Sequence, residues 1–467
     1  MKTIEAPTAQ TPVGERWPML QEAPGGLVTR GTAAAAAAVF RAATKRLGIS
    51  VSEDGSPADI VLHRPEEFYA RLSRHGLIGF GEAYLTGAWD APELGETLTV
   101  LCRDLDGLLP GWAQRMRGVY ERRRGAKDLN TPENAREHIG HHYDLSNEFF
   151  ALFLDPTMSY SAGLFSTLPS TEDLALAQHR KIDRILDEAG VGPGTRLLEI
   201  GTGWGELALR AAARGAQVTT VTLSVEQAAL ARRRIGAAGL DHRVDVELRD
   251  YRAVDGTYDA VVSVEMIEAV GERFWPVYFA KIDEVLAPGG TAVIQAITMP
   301  HDRMMATRST ETWITKYIFP GGLLPSTEAI TGVTEEHTRL RLRSRLSFGA
   351  HYAETLRRWD LALLDRADEV RALGFDETFL RMWHFYLEYS RAGFAADYID
   401  VQQLTFTRDE AVARRRRPAQ TVGTVPPSIT YSAPTIAEAR SETRNPTRSA
   451  ISSVFANRPW GTPPRES

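Results

Sequence analysis

The chain has 467 residues, 43% of them hydrophobic and 24% charged, an ordinary globular composition long enough for one large domain with a smaller companion. Its formal charge of -6 excludes a global attraction to nucleic acid or anionic lipid, so any basic surface is local and no nucleic-acid partner is expected. Cys102 is the one cysteine, which excludes an internal disulfide, and no apolar run approaches the ~20 residues of a membrane span, so a cytoplasmic protein is expected.

Residues 1–30 are rich in Pro, Gly, Thr and Ala without periodicity and are expected to be disordered. Residues 31–127 read as a small mixed domain with its linker: a helix through Ala33–Leu47, a strand at Ile60–His63, a helix from Pro65, then the glycine-containing run Gly76–Tyr84. Arg115, Arg117, Arg122, Arg123, Arg124 and Lys127 follow. That basic run is either a solvated helix face or a contact for phospholipid headgroups, worth about 1 kcal/mol per residue near an anionic surface. His138, His141 and His142 have a spacing that can hold a metal on a helix, but nothing else in the chain supports one, and no metal is expected.

The most informative stretch is Leu197-Leu198-Glu199-Ile200-Gly201-Thr202-Gly203-Trp204-Gly205, a buried strand and a glycine turn, with a helix beginning near Glu206. Glycines let the backbone pass close beneath a ligand, and a helix start presents unpaired N–H groups. The spacing E-x-G-x-G-x-G differs from the G-x-G-x-x-G of dinucleotide sites and suits S-adenosylmethionine better than NAD. An ordinary tight strand-to-helix turn shares the same local pattern. Strands are expected at Arg196–Ile200, Gln217–Leu223, Val244–Leu248, Ala260–Val264 and Thr291–Ile297, with helices around Glu206–Arg214, Ser224–Ala238 and Phe274–Leu286. Continuous apolar strands alternating with helices predict an α/β fold with a parallel sheet covered on both faces and a ligand site at the strands' carboxyl ends. A cap from His301 to about Gly349 interrupts the alternation, which resumes to Arg408. Residues 409–467 carry the Arg414–Arg417 cluster and then Pro, Ser and Thr, and are expected to be a disordered basic tail.

From about Leu77 to Arg408 the chain resembles the cyclopropane fatty acid synthase family, which includes the mycolic acid cyclopropane synthases. The resemblance is carried by His142-Tyr143-Asp144-Leu145-Ser146-Asn147-Glu148-Phe149-Phe150, Leu154–Ser161, Leu198–Gly205, Thr222-Leu223-Ser224, Asp250-Tyr251-Arg252, Ser263–Gly271, Lys316–Gly322 and Gly349-Ala350-His351-Tyr352. Gly79-Phe80-Gly81-Glu82 resembles the amino-terminal domain of members that act on intact phospholipids. The resemblance implies a Rossmann-like class I methyltransferase sheet with a helical cap over residues 128–408, behind a small mixed amino-terminal domain. It also implies methyl transfer from S-adenosylmethionine to the cis double bond of a phospholipid acyl chain at the membrane surface.

By that resemblance the cofactor lies against Tyr160, Ser161, Glu199, Gly201, Gly203, Gly205, Thr222, Leu223, Gln227, Asp250 and Tyr251. In the family a bound bicarbonate removes the last proton, held by a glutamate, a histidine, a tyrosine and the backbone at a cysteine. Glu268 and Tyr352 match the glutamate and tyrosine, Ala162 stands where the cysteine would be, and Gln295 stands where the histidine would be. Gln295 can donate to an oxyanion but cannot carry charge. These departures resemble an actinobacterial branch that makes 10-methyl, tuberculostearate-type fatty acids through a 10-methylene intermediate. A separate flavin- or nicotinamide-dependent reductase would complete the branch, because no second nucleotide fingerprint is present here. Ring closure to a cyclopropane remains an alternative, as do a small-molecule methyltransferase and an inactive lipid-binding protein. Phe149, Phe319, Trp383, Phe385, Tyr386 and Phe394 are candidate walls of an acyl tunnel or plain core. A peripheral position at the inner membrane face and a homo-oligomeric state are both compatible with the sequence.

Overall fold

The computed structural model describes residues 17–105 and 146–409. The basic run Arg115–Lys127, the three clustered histidines and the arginine-rich tail lie outside the described residues.

Five parallel strands form the expected sheet: β4 (Arg196–Ile200), β5 (Gln217–Thr222), β6 (Val244–Leu248), β7 (Tyr258–Val264) and β8 (Leu286–Thr298). Two more strands, β9 (Leu340–Ser347) and β10 (Asp400–Arg408), complete a seven-stranded sheet in the order β6-β5-β4-β7-β8-β10-β9, with β10 antiparallel to both neighbours. Leu197, Leu198, Val261 and Val262 are fully buried, as parallel strands covered on both faces require. The Rossmann-like class I architecture read from the sequence is the one the chain adopts. One expectation is corrected. The end of the supposed cap is the edge strand β9, whose Arg343 and Arg345 are exposed, a charged edge that discourages pairing with another chain.

Sequence order leaves β4 toward β5 on one side, while β7 flanks β4 on the other. The crevice at the carboxyl ends of β4 and β7 is therefore the switch point where open α/β sheets bind ligands.

The amino-terminal part also departs from expectation, because ordered structure begins well before residue 31. Helices run over Pro18–Gln21 and Leu27–Leu47, and Trp17 and Leu20 are buried. The indole Nε1 of Trp17 donates to Asp376 at 3.0 Å, so two apolar side chains and one long-range bond order a stretch whose composition suggests none. A small sheet joins β1 (Val51–Ser52) parallel to β2 (Ile60–Leu62) and β2 antiparallel to β3 (Trp89–Asp90). Helix Pro65–Leu85 is kinked at Gly76 (φ 57°), and a Cβ on Gly81 would sit 2.4 Å from the Trp313 ring. Glycine at 81 thus lets this helix close on the cap.

One continuous apolar cluster runs from Ile60, Phe68 and Trp89 through helix Glu377–Ala395, so the amino-terminal part shares its core with the larger one. Arg381, buried in that helix, donates to the carbonyls of Tyr84 (2.7 Å) and Trp89 (3.1 Å) and to the Asp90 carboxylate (2.6 Å). Its guanidinium also lies 4.1 Å from the Tyr84 ring centroid. Among the described residues no helix is long and apolar enough to cross a membrane. Arg381→Leu is expected to lower stability by about 3 kcal/mol, because it removes a buried charge partner of Asp90, which keeps only His63, and a donor to two carbonyls. Urea denaturation of the full chain measures the effect.

Candidate active site at the strand switch point

After β4 the backbone turns through Gly201 (φ 100°), Gly203 (φ 51°) and Gly205 (φ 91°), and helix Glu206–Ala213 begins. The left-handed conformation explains glycine at these positions. At Gly205 there is a second reason: a Cβ would lie 3.1 Å from that of Ala231, where the turn packs on helix Val225–Ala237.

The cleft above this turn is lined by Tyr160, Ser161, Glu199, Gly201, Gly203, Thr222, Leu223, Gln227, Asp250 and Tyr251. The residues assigned to a cofactor from the sequence thus come together on one surface, with Gly205 just behind it. Ser224 caps its helix by accepting from the Gln227 N–H (3.2 Å), and the Thr222 hydroxyl donates to the Gln227 side-chain oxygen (3.0 Å). Asp250 is held by the Arg252 guanidinium at 2.6 and 2.8 Å, and Tyr251 packs edge-on to Tyr278.

Two buried charges meet below the turn. Burial pushes the Glu199 carboxyl up to about 8, against the opposing effects of the Thr220 hydroxyl, which donates to it at 2.6 Å, and of Lys181. Burial likewise pulls the Lys181 ammonium down to about 8, opposed by the surrounding carboxyls, and its Nζ donates to the Ser161 hydroxyl at 2.6 Å. Lys181 lines the cleft and was missed in the sequence, although it falls on the buried stripe Leu174, Gln178, Lys181, Ile185 of helix Leu174–Glu188. A cation at apolar helical spacing was the available signal.

The hydrogen bonds gather three of the expected residues around a neighbouring glutamate. The glutamate that meets Tyr352, Gln295 and Ala162 is Glu265, not Glu268. Glu265 Oε1 accepts from the Ala162 backbone N–H (3.1 Å) and from Gln295 Nε2 (2.7 Å), while Oε2 accepts from the Tyr352 hydroxyl (2.7 Å). Gln295 is itself held by the Gln403 amide (3.0 Å). Glu268 instead accepts from the Ile297 N–H with Oε1, and its buried Oε2 has no hydrogen-bond partner. Burial, and then the nearby Glu265 charge, push the Glu268 carboxyl up to about 8. Burial also raises the Glu265 carboxyl, while its three donors and Lys181 oppose that rise. Tyr352 is raised well above its ordinary range by burial and by Glu265, so it stays a donor.

The residues expected to hold bicarbonate do not fit it. Three of the four, Ala162, Gln295 and Tyr352, already point their donors at Glu265. The fourth, Glu268, is a carboxyl within reach of the Glu265 field, so a further anion here would face two carboxyl groups.

An aromatic wall stands beside Glu265. Tyr352 stacks on Phe394 (4.5 Å between centroids) and meets Trp359 edge-on. Tyr160 packs on Trp359, and its hydroxyl lies 2.8 Å from that of Tyr386, which in turn meets Phe319. Phe149, by contrast, is enclosed by Phe153, Phe375, Phe379 and Trp383, and Phe385 packs on Tyr84 and Trp313. Those two tunnel candidates serve as core.

Comparison with known proteins places this geometry. Residues 130–404 match the family described as mycolic acid cyclopropane synthetase. The chain is 50% identical over 425 residues to the tuberculostearic acid methyltransferase UfaA1 of Mycobacterium tuberculosis, covering 87% of this chain and 99% of that protein. It is 34% identical over 367 residues to the cyclopropane-fatty-acyl-phospholipid synthase of Escherichia coli, covering 78% and 91% respectively. The solved structure of the mycolic acid cyclopropane synthase CmaA1 complexed with SAH and CTAB matches with a TM-score of 0.53 at 30% identity, over 58% of this chain and 97% of that one.

The buried carboxyls set a pH dependence. Glu199 and Glu268 rise from about 4.5 unfolded to about 8 folded. The folded state then holds protons that the unfolded chain has released, so this contribution to stability is fully present below pH 4.5 and lost as pH rises through 8. The ligand-free urea midpoint should fall between pH 5 and 8, and fall less in the double variant Glu199→Gln, Glu268→Gln.

Proposed function

Because the chain belongs to the mycolic acid cyclopropane synthetase family, we propose that it is a methyltransferase of the tuberculostearate type, converting the cis double bond of an unsaturated phospholipid acyl chain into a 10-methylene product. The chain is a C-methyltransferase dependent on S-adenosylmethionine, and it acts on unsaturated fatty acyl chains through a carbocation. The single observation carrying the finer reading is the 50% identity across 87% of the chain to a protein named for tuberculostearic acid.

The residues of the cleft fit the cofactor. Bound S-adenosylmethionine supplies an electrophilic methyl group on a sulfonium. The glycine turn brings the backbone close beneath it, and the Lys181 ammonium, beside Tyr160 and Ser161, offers a positive charge to the methionine carboxylate. Thr222 at the end of β5 and Gln227 in the first turn of the next helix stand for the ribose, and Asp250 and Tyr251 follow β6 for the adenine.

An alkene is a weak nucleophile, and the cation formed when its π pair bonds to the methyl carbon would be captured by water. Tyr160 lines the cleft, and Trp359, Tyr352 and Phe394 pack behind it as an aromatic layer that excludes water; a ring face turned toward a desolvated cation is worth ~2 kcal/mol. A hydride shift moves the cation onto the carbon bearing the new methyl. Loss of a proton from that methyl then leaves an exocyclic methylene, which a separate flavin- or nicotinamide-dependent reductase would saturate. Enclosing an acyl chain returns about 0.8 kcal/mol per methylene, but leaving a bilayer costs the same. The enzyme therefore works as a peripheral protein at the membrane face, where the chain passes directly from lipid to protein.

The test is incubation of the purified protein with dioleoyl-phospholipid vesicles and methyl-labelled S-adenosylmethionine. Label is expected in the acyl chain. Methylene and cyclopropane products share a mass, so NMR decides between them: vinylidene protons are expected, and ring protons alone would make the enzyme a cyclopropane synthase. Absence of label from lipid would leave only a binding protein.

A further inference from the structure

We infer that the Glu265 carboxylate is the proton acceptor of the reaction, a base carried by the chain itself where the family resemblance led us to expect a bound bicarbonate. The inference rests on the lipid-methylating reading above and names the group that ends the reaction.

Three features of the structure point to it. The first is placement. Glu265 lines the same cleft as Gly201 and Ser161, and its carboxylate reaches from there to Ala162, Gln295 and Tyr352, which lie beyond that lining. The second is the donor set. A carboxylate offers about four lone-pair positions. Oε1 takes two donors, the Ala162 N–H and Gln295, and Oε2 takes one, Tyr352. One lone pair of Oε2 stays open, beside the aromatic wall that begins at Tyr352. The third is backbone strain. Glu265 has φ 50°, a left-handed conformation that a residue with a Cβ adopts at a cost, and such residues cluster where function demands them. A glycine would accept that conformation freely, so the position is held by a glutamate for its carboxylate.

Neighbouring groups are poor alternatives. Glu268 is tied to the Ile297 N–H and is held largely protonated at neutral pH by burial. Tyr352 is a donor, and Lys181 already donates to Ser161. The step balances with no further reactant. A C–H bond of the added methyl breaks, its electron pair becomes the π bond of the exocyclic methylene, and the proton passes to Glu265 Oε2. The neutral carboxyl returns the proton to solvent after the product leaves.

The experiment uses the full-length protein, oleoyl-phospholipid vesicles and labelled cofactor in buffer stripped of carbon dioxide, with and without added bicarbonate. Wild type should turn over equally in both. Glu265→Gln should lose about 10²–10⁴-fold in kcat, the usual contribution of a positioned base, while calorimetric binding of S-adenosylhomocysteine changes less than about threefold. Glu265→Gly, which relieves the left-handed backbone and frees the Ala162, Gln295 and Tyr352 donors, should be inactive alone and regain activity with added bicarbonate. Wild-type turnover that collapses without bicarbonate would overturn the inference, as would Glu265→Gln with kcat within a few-fold of wild type. Either result leaves the lipid reading intact, since label still enters lipid. A wild type that labels no lipid under any condition overturns that reading and this inference with it.

Discussion

A half-buried carboxylate ties four separated parts of this chain together. Glu265 ends β7, its backbone N–H donates to the Gln295 carbonyl on β8, and its side chain collects the Ala162 N–H, the Gln295 amide and the Tyr352 hydroxyl. Charge-assisted bonds of this kind are about twice as strong as neutral ones, and losing one partner leaves a buried group unsatisfied. The loop around Ala162, the sheet and helix Gly349–Asp365 are thereby fixed relative to one another. The cofactor cleft and the aromatic wall owe their common border to that arrangement.

The same region concentrates ionisable groups where the sheet gives them no solvent. Glu199 and Lys181, which are buried, and Glu265 and Glu268, which are half-buried, gather around the carboxyl ends of β4 and β7. A neutral cluster of this sort is costly to assemble and is found where chemistry needs charge at a defined place. Here Lys181 and Glu265 lie within each other's field, and both residues line the space for the cofactor. Water exclusion strengthens both fields and protects a developing carbocation from capture.

Attachment of the amino-terminal part depends on a second buried carboxylate. Glu82, 1% exposed, accepts from Tyr317 (2.9 Å) and Lys316 on the cap and pairs with His75 (2.8 Å) on its own helix. Those partners and the hydrogen bonds of Arg381 hold the helix that carries Gly79–Glu82 against the cap and helix Glu377–Ala395. The shared core explains why the segment that resembles phospholipid-modifying enzymes bears on the catalytic part at all.

Local chemistry in the sequence was enough to place the five parallel strands and the glycine turn, while the family resemblance supplied the remaining residues of the cofactor cleft. Apolar runs specify buried parallel strands, left-handed turns demand glycine, and the residues of the turn lie within a few positions of one another. The order seen from Trp17 to Arg30 was not legible, because it comes from Trp17 reaching Asp376, 359 positions away. Nor was the choice between Glu265 and Glu268, three residues apart in a stretch without periodicity. It depends on partners 103, 30 and 87 positions distant and on a left-handed backbone that aims one carboxylate at all three donors. Spacing along a chain fixes which face of a strand or helix a residue takes, but only the closed sheet decides which buried charge stands opposite which donor.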